Sequence, residues 1–174
     1  FGAVIQRVME QKERIDGIVG VVSDIFKVKK EHEVAIETAL GGNIRNIITR
    51  NDTTAKQLIG FLKKNKYGRA TFLPLSSVKA RGSFRYPDSL KEPGAIGTAN
   101  MLVEASKQFH DVIDYLLGQV LVVDTIDHAM MIARKYNQSI RIVTLEGELL
   151  NPGGSMTGGA YKNTSNLLGR NREL

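Results

Sequence analysis

Cysteine is absent from the 174 residues, which excludes disulfides, Cys-ligated zinc and thiol nucleophiles together. Long apolar runs are absent too: no stretch approaches the roughly 20 consecutive apolar residues that a membrane helix needs. No charged start, apolar centre and small-residue cleavage site opens the chain, so no secretory leader is expected. The first residue is Phe1 rather than methionine, which fits a segment of a longer protein. Catalytic motifs are equally scarce. His32, His110 and His128 lack H-E-x-x-H spacing and share no face, so they read as surface or boundary residues and no metal is expected. No G-x-S-x-G nucleophile elbow occurs. Asp111 and Asp114 lie opposite the apolar stripe of their helix and read as solvated acids, not an acid–base pair. Neither a catalytic residue nor a cofactor is expected.

What remains is an ordinary globular composition, 42% hydrophobic and 24% charged, with chain enough for one domain or two small ones around a real core. The net charge of +6 and pI near 9.6 leave room for an acidic partner, of which nucleic acid is the usual case. A basic solvated surface without a partner accounts for the same numbers.

A degenerate repeat organises the chain. One copy opens at Gly17-Ile18-Val19-Gly20 and the other at Gly94-Ala95-Ile96-Gly97, 77 residues on. Each continues into a strand-like stretch, residues 21–28 and 101–103. Each then has a helix with a one-sided apolar face: Ala35, Ile36, Ala39 and Leu40, and Phe109, Val112, Ile113, Leu116 and Leu117. Both helices run into glycine, Gly41-Gly42 and Gly118, where a turn through positive φ is expected. Short strands follow at 44–48 and 120–123. Second helices come next, with Asp52 and Thr125 or Asp127 as N-caps. Their apolar faces carry Ala55, Leu58, Ile59 and Leu62, and Ala129, Ile132, Ala133 and Tyr136. Related strands at 69–73 and 141–145 close the copies. The stretch from about Ser76 to Pro93 is a connector, rich in loop-forming residues.

The expected fold class is therefore α+β with α/β-like units: two pseudo-symmetric subdomains with mixed sheets and packed helices. The ends differ. Ile5, Val8, Lys12 and Ile15 repeat at coiled-coil seam spacing, as do Leu167, Asn171 and Leu174. Both segments are too short to be stable alone and read as stubs of a longer coiled coil, or as terminal helices packed on the domain. The expected division is a stub at 1–16, subdomain I with the connector at 17–93, subdomain II at 94–159, and a second stub at 160–174.

One segment stands out. The run Asn151-Pro152-Gly153-Gly154-Ser155-Met156-Thr157-Gly158-Gly159 lacks the Lys-Ser/Thr pair of a P-loop and the order of a dinucleotide fingerprint. Two Gly-Gly pairs after a strand-like stretch suit the close approach of a second backbone at a sheet edge. A flexible loop before the terminal helix explains them equally well.

The run from Val143-Thr144-Leu145-Glu146-Gly147 through to Gly158-Gly159 resembles the C-terminal signature of the hinge domains of SMC (structural maintenance of chromosomes) proteins. Tyr67-Gly68-Arg69-Ala70-Thr71-Phe72-Leu73-Pro74-Leu75 resembles the family's other strong motif, and Ala39-Leu40-Gly41 and Leu116-Leu117-Gly118 fit its two helix ends. The resemblance spans about residues 15–159 and looks bacterial. It implies a hinge inserted between the halves of an antiparallel coiled coil, two such hinges forming a ring-shaped homodimer. Gly153, Gly154, Gly158 and Gly159 would lie in that interface. It implies work in chromosome condensation and segregation, in the cytoplasm and at the nucleoid, with ATP hydrolysis in distant heads and accessory condensin subunits bound only through parts absent from this chain. Bacterial relatives often carry a lysine cluster after the final Gly-Gly; here only Lys162 stands there. Lys27, Lys29, Lys30, Lys63, Lys64, Lys66, Lys79, Arg81 and Arg85 are the other candidates for non-specific DNA contact, or are simply solvated charges. The alternative function is a module that primarily binds DNA, with dimerisation secondary.

Overall fold

The computed structural model describes residues 2–160. Its strands fall into three sheets, and the order repeats. In the first half β1 (Ile18–Val21), β3 (Ile47–Thr49) and β4 (Phe72–Pro74) form a sheet in the order β1-β3-β4. β1 runs antiparallel to β3, and β3 runs parallel to β4. In the second half β5 (Ala95–Thr98), β7 (Val120–Val123) and β8 (Arg141–Thr144) repeat that arrangement. This sheet is then extended past β8 by the antiparallel strands β9 (Leu149–Leu150) and β10 (Met156–Thr157).

The third sheet joins the halves. β2 (Phe26–Val28) pairs antiparallel with β6 (Val103–Ala105), Lys27 opposite Glu104. Positions 27 and 104 are 77 apart, the spacing of Gly17 and Gly94, and the flanking pairs exchange places about them. A pseudo-two-fold axis therefore passes through the Lys27–Glu104 pair. The single strand expected over 21–28 is broken because residues 22–24 tighten into a 3₁₀ turn, freeing β2 to leave its own sheet and reach the other half.

Burial follows the same symmetry. Helices α2 (Glu33–Leu40) and α4 (His110–Leu117) sit at the centre. They bury Ile36, Leu40, Val112, Ile113 and Leu117 with Val22, Phe26, Ile48, Val122 and Val143 in one core drawn from both halves. The outer face of each sheet has its own cover. α5 (Ile126–Lys135) packs Ala129, Ile132 and Ala133 on Leu121, Val123, Ile142 and Leu150. α3 (Asp52–Asn65) packs Leu58 and Leu62 on Ile18 and Ile47. Fully burying each leucine, isoleucine or valine among them is worth about 1.5–3 kcal/mol.

Local chemistry sets the ends. Asn51, one residue before the expected Asp52, caps α3, its side chain accepting from the Thr54 N–H at 2.9 Å; Thr125 caps α5 by accepting from the His128 N–H at 3.3 Å. Gly118 keeps a helical φ of −68°, contrary to the expected left-handed turn. Its missing side chain serves instead to clear the Asp114 carbonyl. Gly17 and Gly94 are matched again: each carbonyl accepts from the residue leaving the central strand, Arg50 at 2.7 Å and Asp124 at 2.9 Å. A β-carbon at Gly17 would strike Thr54, and one at Gly94 would strike Asp124 and His128. The connector is clamped by Glu92, which accepts from Lys135 Nζ at 2.7 Å and from the Tyr136 hydroxyl at 3.3 Å. The Lys135 hydrogen bond holds the Glu92 carboxyl below its usual range.

At the start of the chain α1 (Gly2–Met9) ends earlier than the seam pattern predicts, and residues 10–14 are turns. Val8 is fully buried beside Leu58 and Leu62, so this helix is packed on the domain. Leu167, Asn171 and Leu174 lie outside the described residues. Among those described, no helix is long and apolar enough to cross a membrane.

Candidate dimer interface

The glycine run forms a hairpin at the end of the five-stranded sheet. Met156 pairs with Leu150 and Thr157 with Leu149. The turn is closed by the Asn151 N–H donating to the Ser155 carbonyl at 2.9 Å, and by the Gly154 N–H donating to the Asn151 carbonyl at 2.9 Å. The Gly153 N–H ties the turn back to the Gln138 carbonyl at 2.8 Å. Opposed pairs in an antiparallel ladder alternate between hydrogen-bonded and non-bonded. Asn151 and Ser155 are a bonded pair, so Leu150 and Met156 are not. The backbone N–H and C=O of Met156 thus face away from β9, toward the open side. Every residue from 152 to 160 is exposed.

The four glycines divide by cause. Gly153, Gly154 and Gly159 have φ of 95°, 108° and 135°, yet a β-carbon there would meet nothing within 4 Å. Their need for glycine is conformational: alanine would cost about 1–3 kcal/mol each in the single chain. Only Gly158 is crowded, its β-carbon position lying 3.2 Å from Glu148 Cγ. Glu148 is itself held against the strand by the Thr144 hydroxyl.

The other half exposes a matching edge that sequence reasoning missed. The Ile47 N–H donates to the Thr71 carbonyl at 2.9 Å and the Leu75 N–H to the Thr49 carbonyl at 2.8 Å. Residues 71 and 75 therefore face β3, and by alternation Phe72 and Pro74 turn their backbones outward. Pro74 costs no ladder bond there. A proline inside a strand motif is the signal that marks an edge. β8, the counterpart of β4, is covered by the hairpin, whereas β4 has no further strand beside it among the described residues. The Pro74 carbonyl already accepts from the Ser77 and Val78 N–H groups at 3.0 and 2.9 Å, which leaves Phe72 as the open position of that edge.

The basic candidates are spread over separate elements. Lys27, Lys29 and Lys30 lie on and after β2; Lys63, Lys64 and Lys66 end α3; all six are exposed. Lys79 and Arg81 belong to the connector and are engaged with α4. Lys79 Nζ lies 3.7 Å from Asp111, and the Arg81 guanidinium sits 4.4 Å from the centre of the Tyr115 ring. The Arg85 N–H donates to Gln119 Oε1 at 3.1 Å. Lys162 lies outside the described residues. Among those residues no group of three or more His, Cys, Asp or Glu is placed to hold a metal.

A family model described as the SMC proteins flexible hinge domain matches residues 15–133. The chain belongs to the SMC hinge family. The chromosome partition protein Smc of Bacillus subtilis is 41% identical over 173 residues, which cover 98% of this chain and 15% of that protein. The Smc of Clostridium kluyveri is 44% identical over 155 residues, 88% of this chain and 13% of that one. This hinge thus spans 13% to 15% of the length of those two relatives. Among solved structures it resembles an asymmetric dimer of the Geobacillus stearothermophilus SMC hinge domain, with TM-score 0.91 and 39% identity, covering 99% of this chain and 70% of that one. It also resembles the Pyrococcus furiosus SMC hinge domain, with TM-score 0.74 and 28% identity over 92% of this chain and 81% of that one. The SMC hinge fold and its mixed α and β content are as the sequence motifs implied.

Proposed function

We propose that this hinge joins two SMC arms by forming a two-fold homodimer, the β10 edge of each copy pairing with the β4 edge of the other. The observation that carries this is an edge strand at the equivalent end of each half's sheet, β4 in one and β10 in the other, with the backbone groups of Phe72 and Met156 turned outward. Two copies related by a two-fold axis satisfy both edges at once and close the assembly. The likeness to a hinge domain solved as an asymmetric dimer supports dimerisation itself. The four glycines keep the hairpin in its shape and leave its outer side free of bulk. Whatever ATP hydrolysis the whole protein performs belongs to parts beyond this chain, as do contacts with accessory condensin subunits; the cytoplasm and nucleoid are the setting that role requires.

The decisive variant is Met156→Pro, which removes an outward N–H without breaking a bond to β9. Sedimentation equilibrium should show a folded dimer for the native chain and a folded monomer for the variant. A variant that dimerises as tightly as the native chain would sink the β10 edge.

A DNA-binding role, primary or secondary, is favoured by the exposed lysines on β2 and α3 and by the net charge of +6. Such contact would be to phosphates and would weaken steeply between about 50 and 200 mM salt. No measurable binding of single- or double-stranded DNA near 50 mM salt would remove it.

A further inference from the structure

Pairing β4 of one copy with β10 of another would bring together one exposed apolar side chain from each half. Met156 is 51% exposed on β10, and Ile59, expected from its spacing to face the core, is 47% exposed on α3. Ile59 borders a groove of about 410 Å³ beside the approach to β4, completed by Leu62, Lys63, Gly68, Arg69 and Ala70. We infer that Met156 of one copy seats in this groove on the other, with Lys63 and Arg69 at its rim facing Glu146 and Glu148, which precede the hairpin; the inference rests on the β4–β10 pairing proposed above.

The faces agree. Met156 lies directly opposite Leu150, which packs under α5, so its side chain is on the α5 side of the sheet. The groove is on the α3 side of the other sheet, where Leu62 and Ala70 belong to the core under α3. By the pseudo-two-fold, α3 and α5 are equivalent covers. Joining β4 to the β10 of a second copy side by side, with both shared cores kept inside, brings those helix-covered faces into one surface. An unbranched, polarizable methionine suits such a shallow apolar slot.

Charge agrees as well. Residues 142–160 contain Glu146 and Glu148 and no lysine or arginine, whereas residues 59–71 contain Lys63, Lys64, Lys66 and Arg69 and no acid. Part of the basic cluster that composition alone offers to DNA is thereby assigned to the second copy.

The absence of cysteine makes the test clean. Ile59→Cys and Met156→Cys would be purified separately, mixed and treated with a short bismaleimide. A covalent dimer is expected in the mixture well above its level with either variant alone. By sedimentation, Met156→Ala should weaken the dimer about tenfold. The fall of affinity with salt should be shallower in Lys63→Gln/Arg69→Gln than in the native chain. If the native chain is monomeric throughout, the edge pairing itself fails. If it is a dimer but the mixture does not cross-link and Met156→Ala is unchanged, the groove assignment fails alone. An unaltered salt slope removes Lys63 and Arg69 from the contact.

Discussion

Asn51 carries the start of α3, the longest helix among the described residues, on a single side-chain oxygen, accepting from Thr54 N–H while Thr54 Oγ donates to the Asp16 carbonyl at 2.9 Å. Asn51→Ala should cost about 1 kcal/mol, read as a lower midpoint in urea with an unchanged slope. Glu92 makes a different kind of prediction. Its carboxyl is depressed chiefly by the Lys135 hydrogen bond, so the folded state binds its proton less readily than the unfolded chain. The stability it contributes is present above the ordinary carboxylate value near 4 and is lost as pH falls through the lower folded value. Asp24 has the opposite sign, since burial raises its carboxyl. In thermal melts across pH 2–6, Glu92→Gln should flatten the acid-side fall. An unchanged profile would take Glu92 out of it. Neither the clamp nor the Asn51 cap was legible beforehand. Asn51 stands next to an equally good capping residue, and the Glu92 contacts join residues over 40 positions apart.

Among the elements, α3 and α5 show what repetition makes readable. Their apolar spacings match, yet the sheet under α5 is extended past β8 by β9 while the sheet under α3 ends at β4, and Ile59 is 47% exposed where its counterpart Ala133 is 2% exposed. Periodicity located both helices and misjudged that residue, because a stripe says which side is apolar and not how far the covering layer extends. The same limit applies to α1. Eight residues are marginal as an isolated helix, and this one is held by Val8 against α3. Val8→Asp should release it, seen as fast amide exchange over residues 4–9 with the rest of the domain protected. Equal exchange in both proteins would mean that Val8 does not anchor the helix. The β4 and β10 edges were half-visible: glycine drew attention to one, while Pro74 marked the other without being read.

For the whole molecule, the two halves share one core, and neither sheet keeps its inner face without the other half's helices and strands. Ile36→Ala, deep in that core, should cost about 2–5 kcal/mol. It should lower one common transition rather than split it, which calorimetry with matched van't Hoff analysis would detect. Two separable transitions would show the halves to be independent. The duplication was plain from spacing alone. The exchange of β2 and β6 across it was not, since nothing local distinguishes a strand that stays in its own sheet from one that crosses over.

That crossing has an implication for charge. Were the halves two identical chains about a true two-fold, the residue on the axis would face its own copy, lysine against lysine or glutamate against glutamate. Like charges directly opposite one another cost a ribbon roughly 0.2–1 kcal/mol. A single chain carrying both halves escapes that constraint, and here position 27 is Lys while position 104 is Glu. Lys27→Glu restores the symmetric conflict and should lower the melting temperature by a few degrees, with Glu104→Lys beside it recovering the loss. The axis pair is thus the place where a single chain can set opposite charges face to face, which two identical chains about a true two-fold could not do.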